Sequence, residues 1–287
     1  MRHSHIVTRR SFLELAGTAS VAWALAPELK AAAAIPIAVQ LYSVRRDSAA
    51  DFDAALEQVA GMGFEGVEFA GYFTYAGKGP ELRKRLDALR LKAAGTHIGL
   101  DTLLPEKFQE TVDFHQSIGC RFLVVPGHRD FTDPDKSKAL ADTFNEIAAK
   151  LKPLGMATGY HNHTDEFEKT DGGKPYWDLF AERTTEDVIL QQDCGWTFAA
   201  GFDPVAYIAK SPGRTRTTHF KPTVRPGDEG KKAILGQDAV DWGAVYAACA
   251  SKGGTEWVVV EQETYPDGKT PMQCTRESLA GLRAVIK

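Results

Sequence analysis

The chain has 287 residues, 43% of them hydrophobic and 25% charged, with a formal net charge of −4 and an isoelectric point near 6.1. That is enough apolar material for a large core, and one α/β barrel of roughly 250 residues would use nearly all of it. Lys and Arg are scattered along the chain rather than striped, so no nucleic-acid groove and no polyanionic partner is expected.

The first 34 residues read as a targeting segment and stay outside the fold argument. Thr8-Arg-Arg-Ser-Phe-Leu13 resembles the twin-arginine export motif, with Arg9 and Arg10 as the pair. The apolar run from Leu15 to Leu25 is too short for a membrane span, which needs roughly 20 apolar residues. Ala31 to Ala34 offers small-residue cleavage sites. A periplasmic mature protein over residues 35–287 is expected, with no stable membrane anchor after cleavage. Cys120, Cys194, Cys249 and Cys274 are widely separated and follow no zinc-finger spacing. Cys120 and Cys249 lie in apolar segments and read as small buried hydrophobes.

From residue 35 onward, strand-like apolar runs alternate with helical patterns eight times. Ile37 to Ser43 is the first strand, and Ala49 to Met62 its helix, with Asp47-Ser48 as N-cap and Gly63 as stop. Gly66 to Phe69 follows, then a helix carrying Leu82, Leu86 and Leu89. The third strand is Ala93 to Ile98 with a helix from Pro105 to Ile118; the fourth is Arg121 to Pro126 with Lys136 to Leu151. Met156 to His161 precedes a short helix from Tyr176 to Arg183, and Val188 to Asp193 precedes Pro204 to Ser211. Arg216 to Lys221 leads to Trp242 to Lys252, and Trp257 to Glu261 is closed by Thr275 to Ile286. Eight such units with short links predict a single parallel eight-stranded (β/α)8 barrel. No glycine-rich dinucleotide loop follows the first strand, which disfavours an open Rossmann sheet.

In such barrels the active site lies at the C-terminal strand ends. The fifth strand ends in His161 and His163, with Glu166 three residues on. The sixth ends in Asp193, the seventh in His219 and Lys221, the eighth in Glu261 and Glu263. One polar strand end is ordinary solvated surface; four consecutive ones converge on a single mouth. Imidazoles mixed with carboxylates suit Mn, Zn, Co or Fe, and the absence of thiolate spacing argues against a structural zinc. A divalent ion there would act as a Lewis acid, a neighbouring histidine or carboxylate would move a proton, and Lys221 would stabilise an oxyanion. Gln40, Tyr42, Glu68, His97 and Trp196 also fall near strand ends and are candidate substrate contacts. Trp177, Trp242 and Trp257 read as packing.

Val39-Gln-Leu-Tyr-Ser-Val-Arg45, Tyr160-His-Asn-His-Thr-Asp-Glu-Phe167, Gln192-Asp-Cys-Gly-Trp196, Thr218-His-Phe-Lys221 and Val260-Glu-Gln-Glu263 together resemble the sugar phosphate isomerase/epimerase group of the xylose-isomerase-like TIM-barrel superfamily. The resemblance spans essentially all of residues 35–287. It implies one divalent metal ion (Mn, Zn or Co) held from strands five to eight, with Asp193, His219 and Glu261 as the last three ligands. The first position departs from the family's usual glutamate. His161 is favoured there, leaving Glu166 as acid/base or substrate contact, and the alternative has Glu166 reaching back as ligand. Catalytic roles fall to Glu166, His163, Lys221 and Glu261, and substrate contacts to Gln40, Tyr42, Glu68, His97, Trp196 and Glu263. Pro222 is a second departure, standing where similar sequences often carry Asp. The loop from Val224 to Gly236 has the composition of a mobile lid.

What the resemblance implies is proton transfer on a small carbohydrate through an enediolate-like intermediate, ending in isomerisation, epimerisation or elimination. Abasic-site endonuclease chemistry on the same superfamily needs a positive groove, which the charge does not provide. A sugar-binding barrel without catalysis is the non-enzymatic alternative. Self-association into a homo-oligomer is left open.

Overall fold

Eight apolar stretches become β1 (Ile37–Gln40), β2 (Gly66–Phe69), β3 (Lys92–His97), β4 (Phe122–Val125), β5 (Ala157–His161), β6 (Ile189–Gln191), β7 (Thr217–Phe220) and β8 (Trp257–Val260) in the computed structural model, which describes residues 34–170 and 172–286. All pairings between these strands are parallel, in the order β6-β5-β4-β3-β2-β1-β8-β7. Parallel strands bury both faces and therefore favour continuous β-branched and aromatic runs, as in Phe122-Leu-Val-Val125. The seam between β6 and β7 is closed by an isolated parallel bridge of Asp193 with His219, whose amide donates to the Gln192 carbonyl at 2.8 Å. The result is the expected single (β/α)8 barrel, all-parallel and nearly closed.

Its helices among the described residues are α1 (Arg45–Ala50), α2 (Phe52–Met62), α3 (Gly79–Leu89), α4 (Pro105–Ile118), α5 (Ser137–Leu151), α6 (Tyr176–Arg183), α7 (Cys194–Ala199), α8 (Pro204–Lys210), α9 (Trp242–Ala248) and α10 (Pro271–Val285). α5 shows the logic of the outer layer. Leu140, Ala141, Phe144, Ile147, Ala148 and Leu151 recur at spacings of three and four and are all buried.

Several boundaries moved for local reasons. β1 stops at Gln40 because its side-chain oxygen accepts from the Tyr42 amide at 3.1 Å and turns the chain into a 3-10 segment, Leu41–Val44. The first expected helix is two, α1 and α2, separated by Asp51 in extended conformation. Asp51, not Asp47-Ser48, is the N-cap, accepting from the Ala54 amide at 3.0 Å. Gly63 does stop α2, at φ 94°. α10 begins at Pro271 behind a capping box of Thr270 and Gln273. α7 was not expected, since Gly195 interrupts a run of only six residues. The end of the Val224–Gly236 loop is no free lid: Ile234 and Leu235 are fully buried, and Gln262 Nε2 donates to the Ala233 carbonyl at 2.7 Å.

Inside the barrel the side chains form layers. Phe122, Ala157 and Ile189 pack with Trp257 at the N-terminal end. Trp177 and Trp242 are core residues, as expected. All four cysteines are buried and free. The expected twin-arginine segment lies, except for Ala34, outside the described residues. No described helix is long and apolar enough to cross a membrane.

Candidate functional site

At the opposite end of the barrel, β5 to β8 bring His161, Asp193, His219 and Glu261 together. All four are buried, and one potential ligand atom from each lies within 4.8 Å of the others. Pleat alternation explains the convergence, because Ile189, Gln191 and Asp193 share one face, as do Ala157, Gly159 and His161.

Asp193 is held most elaborately. It is the N-cap of α7, its Oδ1 accepting from the Trp196 amide at 2.7 Å. Asn162 clamps its backbone, accepting from the Asp193 amide at 2.9 Å and donating to its carbonyl at 3.2 Å. Gly195 lets α7 sit against the end of β7, since a Cβ there would fall 2.1 Å from the Lys221 carbonyl oxygen. The other carboxylate oxygen, Oδ2, is buried without any hydrogen-bond partner. It faces His161 Nε2 at 3.9 Å and His219 Nδ1 at 4.0 Å. Glu261 Oε2 closes the group, 3.1 Å from His219 Nδ1.

Charge balance explains the protonation pattern. Burial pushes the Asp193 carboxyl well above its usual range. Burial works the same way on Glu261, but the Lys221 ammonium and His219 outweigh it and hold that carboxyl low. Burial pushes the His161 imidazole well below its usual range. Burial lowers His163 to about 4, so that ring is neutral at neutral pH. An orphaned buried carboxylate oxygen facing imidazole nitrogens and a second carboxylate fits a divalent cation. The nitrogen–oxygen donor set is that of Mn, Zn, Co or Fe.

Above the four lies a cavity of about 430 Å³, lined in part by Tyr42, His97, His161, His163, Glu261 and Glu263. A larger cavity of about 840 Å³ lies on the flank of the barrel, lined by residues of α3 and α4. The ligand-type residues converge on the smaller one, and chemistry outranks volume here. The His163 ring stands 4.9 Å from that of His161. Lys221 is ion-paired with Glu263, lies 3.6 Å from Glu261 Oε2, and sits 4.5 Å above the Trp196 ring. Trp196 thus supports Lys221 from the side and is not among the residues that line the cavity.

Three further expectations need correction. Gln40 and Glu68, expected as substrate contacts, are wholly buried and are not among the residues lining the cavity. Gln40 Nε2 donates to Glu68 Oε1 at 2.9 Å, while its oxygen holds the Tyr42 amide. Glu166, expected as acid/base, folds back as a loop staple: it accepts from the His163 amide at 2.7 Å and the Tyr160 hydroxyl at 3.2 Å. Burial raises its pKa, but neither oxygen joins the four-residue group. His161, rather than Glu166, belongs to that group.

Sequence reasoning passed over Gln191 and Asn162. Gln191 donates to Glu68 Oε2 and to Thr217 Oγ1, both at 2.8 Å, and its oxygen meets His161 Nδ1 at 2.9 Å. The available signal was parity, since an amide two residues before Asp193 on a buried strand must point into the barrel.

A model of the xylose isomerase-like TIM barrel family matches residues 56–285. The chain is similar to the rhizopine catabolism protein MocC of Rhizobium meliloti, 26% identical over 165 residues, 51% of this chain and 50% of the relative. It thus matches about half the length of that relative. It is 24% identical over 257 residues to the inosose dehydratase of Bacillus licheniformis, covering 76% of this chain and 83% of the relative. Among solved structures, a sugar phosphate isomerase/epimerase from Parabacteroides distasonis superposes with a TM-score of 0.71 at 27% identity, covering 86% of this chain and 96% of the other.

Proposed function

This chain belongs to the xylose isomerase-like TIM barrel family, and on that premise we propose that it is a divalent-metal-dependent isomerase or epimerase of a sugar or keto-sugar. The carrying observation is Asp193 Oδ2, buried, unpartnered and surrounded by His161, His219 and Glu261. These four residues would hold one ion, which when bound supplies Lewis acidity toward a carbonyl or adjacent hydroxyls.

The chain's own residues do the rest. His163, neutral and lining the cavity, accepts the proton from the carbon next to the substrate carbonyl. Lys221, held between Glu261 and Glu263, donates to the oxygen on which negative charge develops. Returning the proton to the neighbouring carbon, as the hydroxyl proton passes to the former carbonyl oxygen, gives isomerisation; protonation of the same carbon from the opposite face by a second donor gives epimerisation. Tyr42 and His97 at the cavity wall orient the sugar. The twin-arginine-like motif at Arg9 and Arg10 supports a periplasmic setting for this activity.

A second outcome of the same proton abstraction is loss of a β-hydroxyl or glycosidic oxygen, which would make the protein a lyase or dehydratase. Similarity to a protein named inosose dehydratase favours keeping it. Elemental analysis of the purified mature protein, with a keto-sugar panel in deuterated buffer, tests the reading. One equivalent of metal and deuterium incorporation at carbon are expected, and a new double bond in the product would select elimination. Sugar binding without exchange would leave only a non-catalytic binding barrel.

A further inference from the structure

Glu68 is fully buried on β2 and sits at a place made for it. Gly95 on the neighbouring strand leaves the room, since a Cβ there would fall 2.7 Å from Glu68 Oε2. Its two oxygens collect donors from four strands. Oε1 lies 2.6 Å from His219 Nε2, 3.0 Å from His97 Nε2 and 2.9 Å from Gln40 Nε2. Oε2 accepts from Gln191 Nε2 at 2.8 Å.

Those contacts fix two rings at once. A carboxylate on His219 Nε2 requires the hydrogen there, which turns Nδ1 toward Asp193 and Glu261. The Gln191 amide has one acceptable orientation, because the reverse would set its oxygen against Glu68 Oε2. Its oxygen therefore faces His97 Nε2 at 2.7 Å and His161 Nδ1 at 2.9 Å. His161 accordingly carries its hydrogen on Nδ1 and aims the Nε2 lone pair at Asp193 Oδ2. We propose that Glu68 is a positioning residue that sets both imidazoles, His219 directly and His161 through Gln191, so that His161 Nε2 and His219 Nδ1, whose hydrogen toward Glu261 a bound ion would replace, point to one cation. It touches neither substrate nor ion. The same contacts give each ring a single cation-facing nitrogen. A second ion between His97, His161 and His219 would have to displace these hydrogen bonds.

This inference rests on the metal reading for its purpose, but its geometry can be tested without an ion. Histidine-labelled protein is compared by 15N NMR in the metal-free state, and Zn²⁺ and Mn²⁺ are then titrated by calorimetry. The variants are Glu68→Gln, the exchange Glu68→Gln/Gln191→Glu, and Gln191→Met. In the wild type His161 is expected as the Nδ1–H tautomer. In Glu68→Gln two amide nitrogens confront each other, the Gln191 amide turns over, and His161 shifts toward Nε2–H. Metal affinity is expected to fall about 10–100-fold.

The exchange variant restores a carboxylate–amide pair and should recover both tautomer and affinity, which a purely structural loss would not do. Gln191→Met leaves Glu68 in place and carries the test alone if Glu68→Gln does not fold; only His161 should change. Wild-type tautomers and affinity in Glu68→Gln would overturn the proposal, as would an exchange variant no better than the single one. A tautomer shift in a protein whose wild type binds neither ion would sustain the positioning role and sink the metal reading.

Discussion

The two ends of the barrel are both largely buried and built from the same strands, yet they hold opposite chemistry. At the N-terminal end, Phe122, Ala157, Ile189 and Trp257 fill the interior with carbon, and Arg121 and Arg216 lie over the Phe122 ring. At the C-terminal end the continuing faces of β5 and β6, with β7 and β8, carry imidazoles and carboxylates. Between them the layer of Gln40, Glu68, Gln191 and Thr217 turns one into the other, its polar atoms hydrogen-bonded to one another, to the rings or to the Tyr42 amide. The apolar end lowers the free energy of the fold. The polar end raises it unless a cation arrives, because burying a carboxylate oxygen without a partner costs free energy. Stability and function are thereby separated along one axis.

Substitutions at the two ends should therefore part cleanly. The largest effect is expected from Asp193→Asn and His219→Ala, each abolishing stoichiometric metal by elemental analysis while far-UV circular dichroism stays native. Metal-free Asp193→Asn should melt no lower than metal-free wild type, since it keeps the α7 cap and discards an uncompensated charge; a clear drop in melting temperature would contradict that account. Phe122→Ala should do the converse, costing about 3–5 kcal/mol in denaturant unfolding with metal affinity of the folded protein unchanged. Gly159→Ala falls between. Its new Cβ would meet the Ile189 carbonyl oxygen at 2.1 Å, forcing β5 from β6 at about 1–3 kcal/mol and disturbing His161 as well.

The smallest effect concerns Asp238, outside both ends. It accepts from the Thr223 amide and the Trp242 indole, and burial pushes its pKa up to about 6 from 3.8. The folded state then binds more protons than the unfolded state between those values. Its contribution is greatest below about pH 4 and is lost as pH rises through about 6. Asp238→Asn should remove that slope from the pH dependence of unfolding, and a slope unchanged in the variant would mean the acid is not its source.

Much of this was readable beforehand. The eight strands and most of their helices follow from apolar runs and three/four spacing, and α4 and α6 kept their expected ends. His161, Asp193, His219 and Glu261 could be named as one group because each closes a strand in a parallel barrel, whose geometry brings strand ends to one mouth. His163 and Glu263 reach the cavity for the same reason. Gln40, Glu68 and Glu166 were misjudged because chain position says which end of a strand a residue occupies, not how deep its side chain lies or which neighbour has taken its hydrogen-bonding capacity. α7 was missed because its stability comes from the Asp193 cap and packing on β7, neither of which shows as periodicity.

Local periodicity and composition determined the barrel, its order of elements and the list of chemically capable strand ends, because those depend on backbone preference and on which residues avoid water. The tertiary structure alone decided which groups are left over. Glu166 finds two donors in its own loop, and Glu68 finds four side chains across the barrel. Asp193 Oδ2 finds none. Whether a buried polar atom is satisfied depends on partners many residues away, brought within hydrogen-bond reach only when the sheet closes.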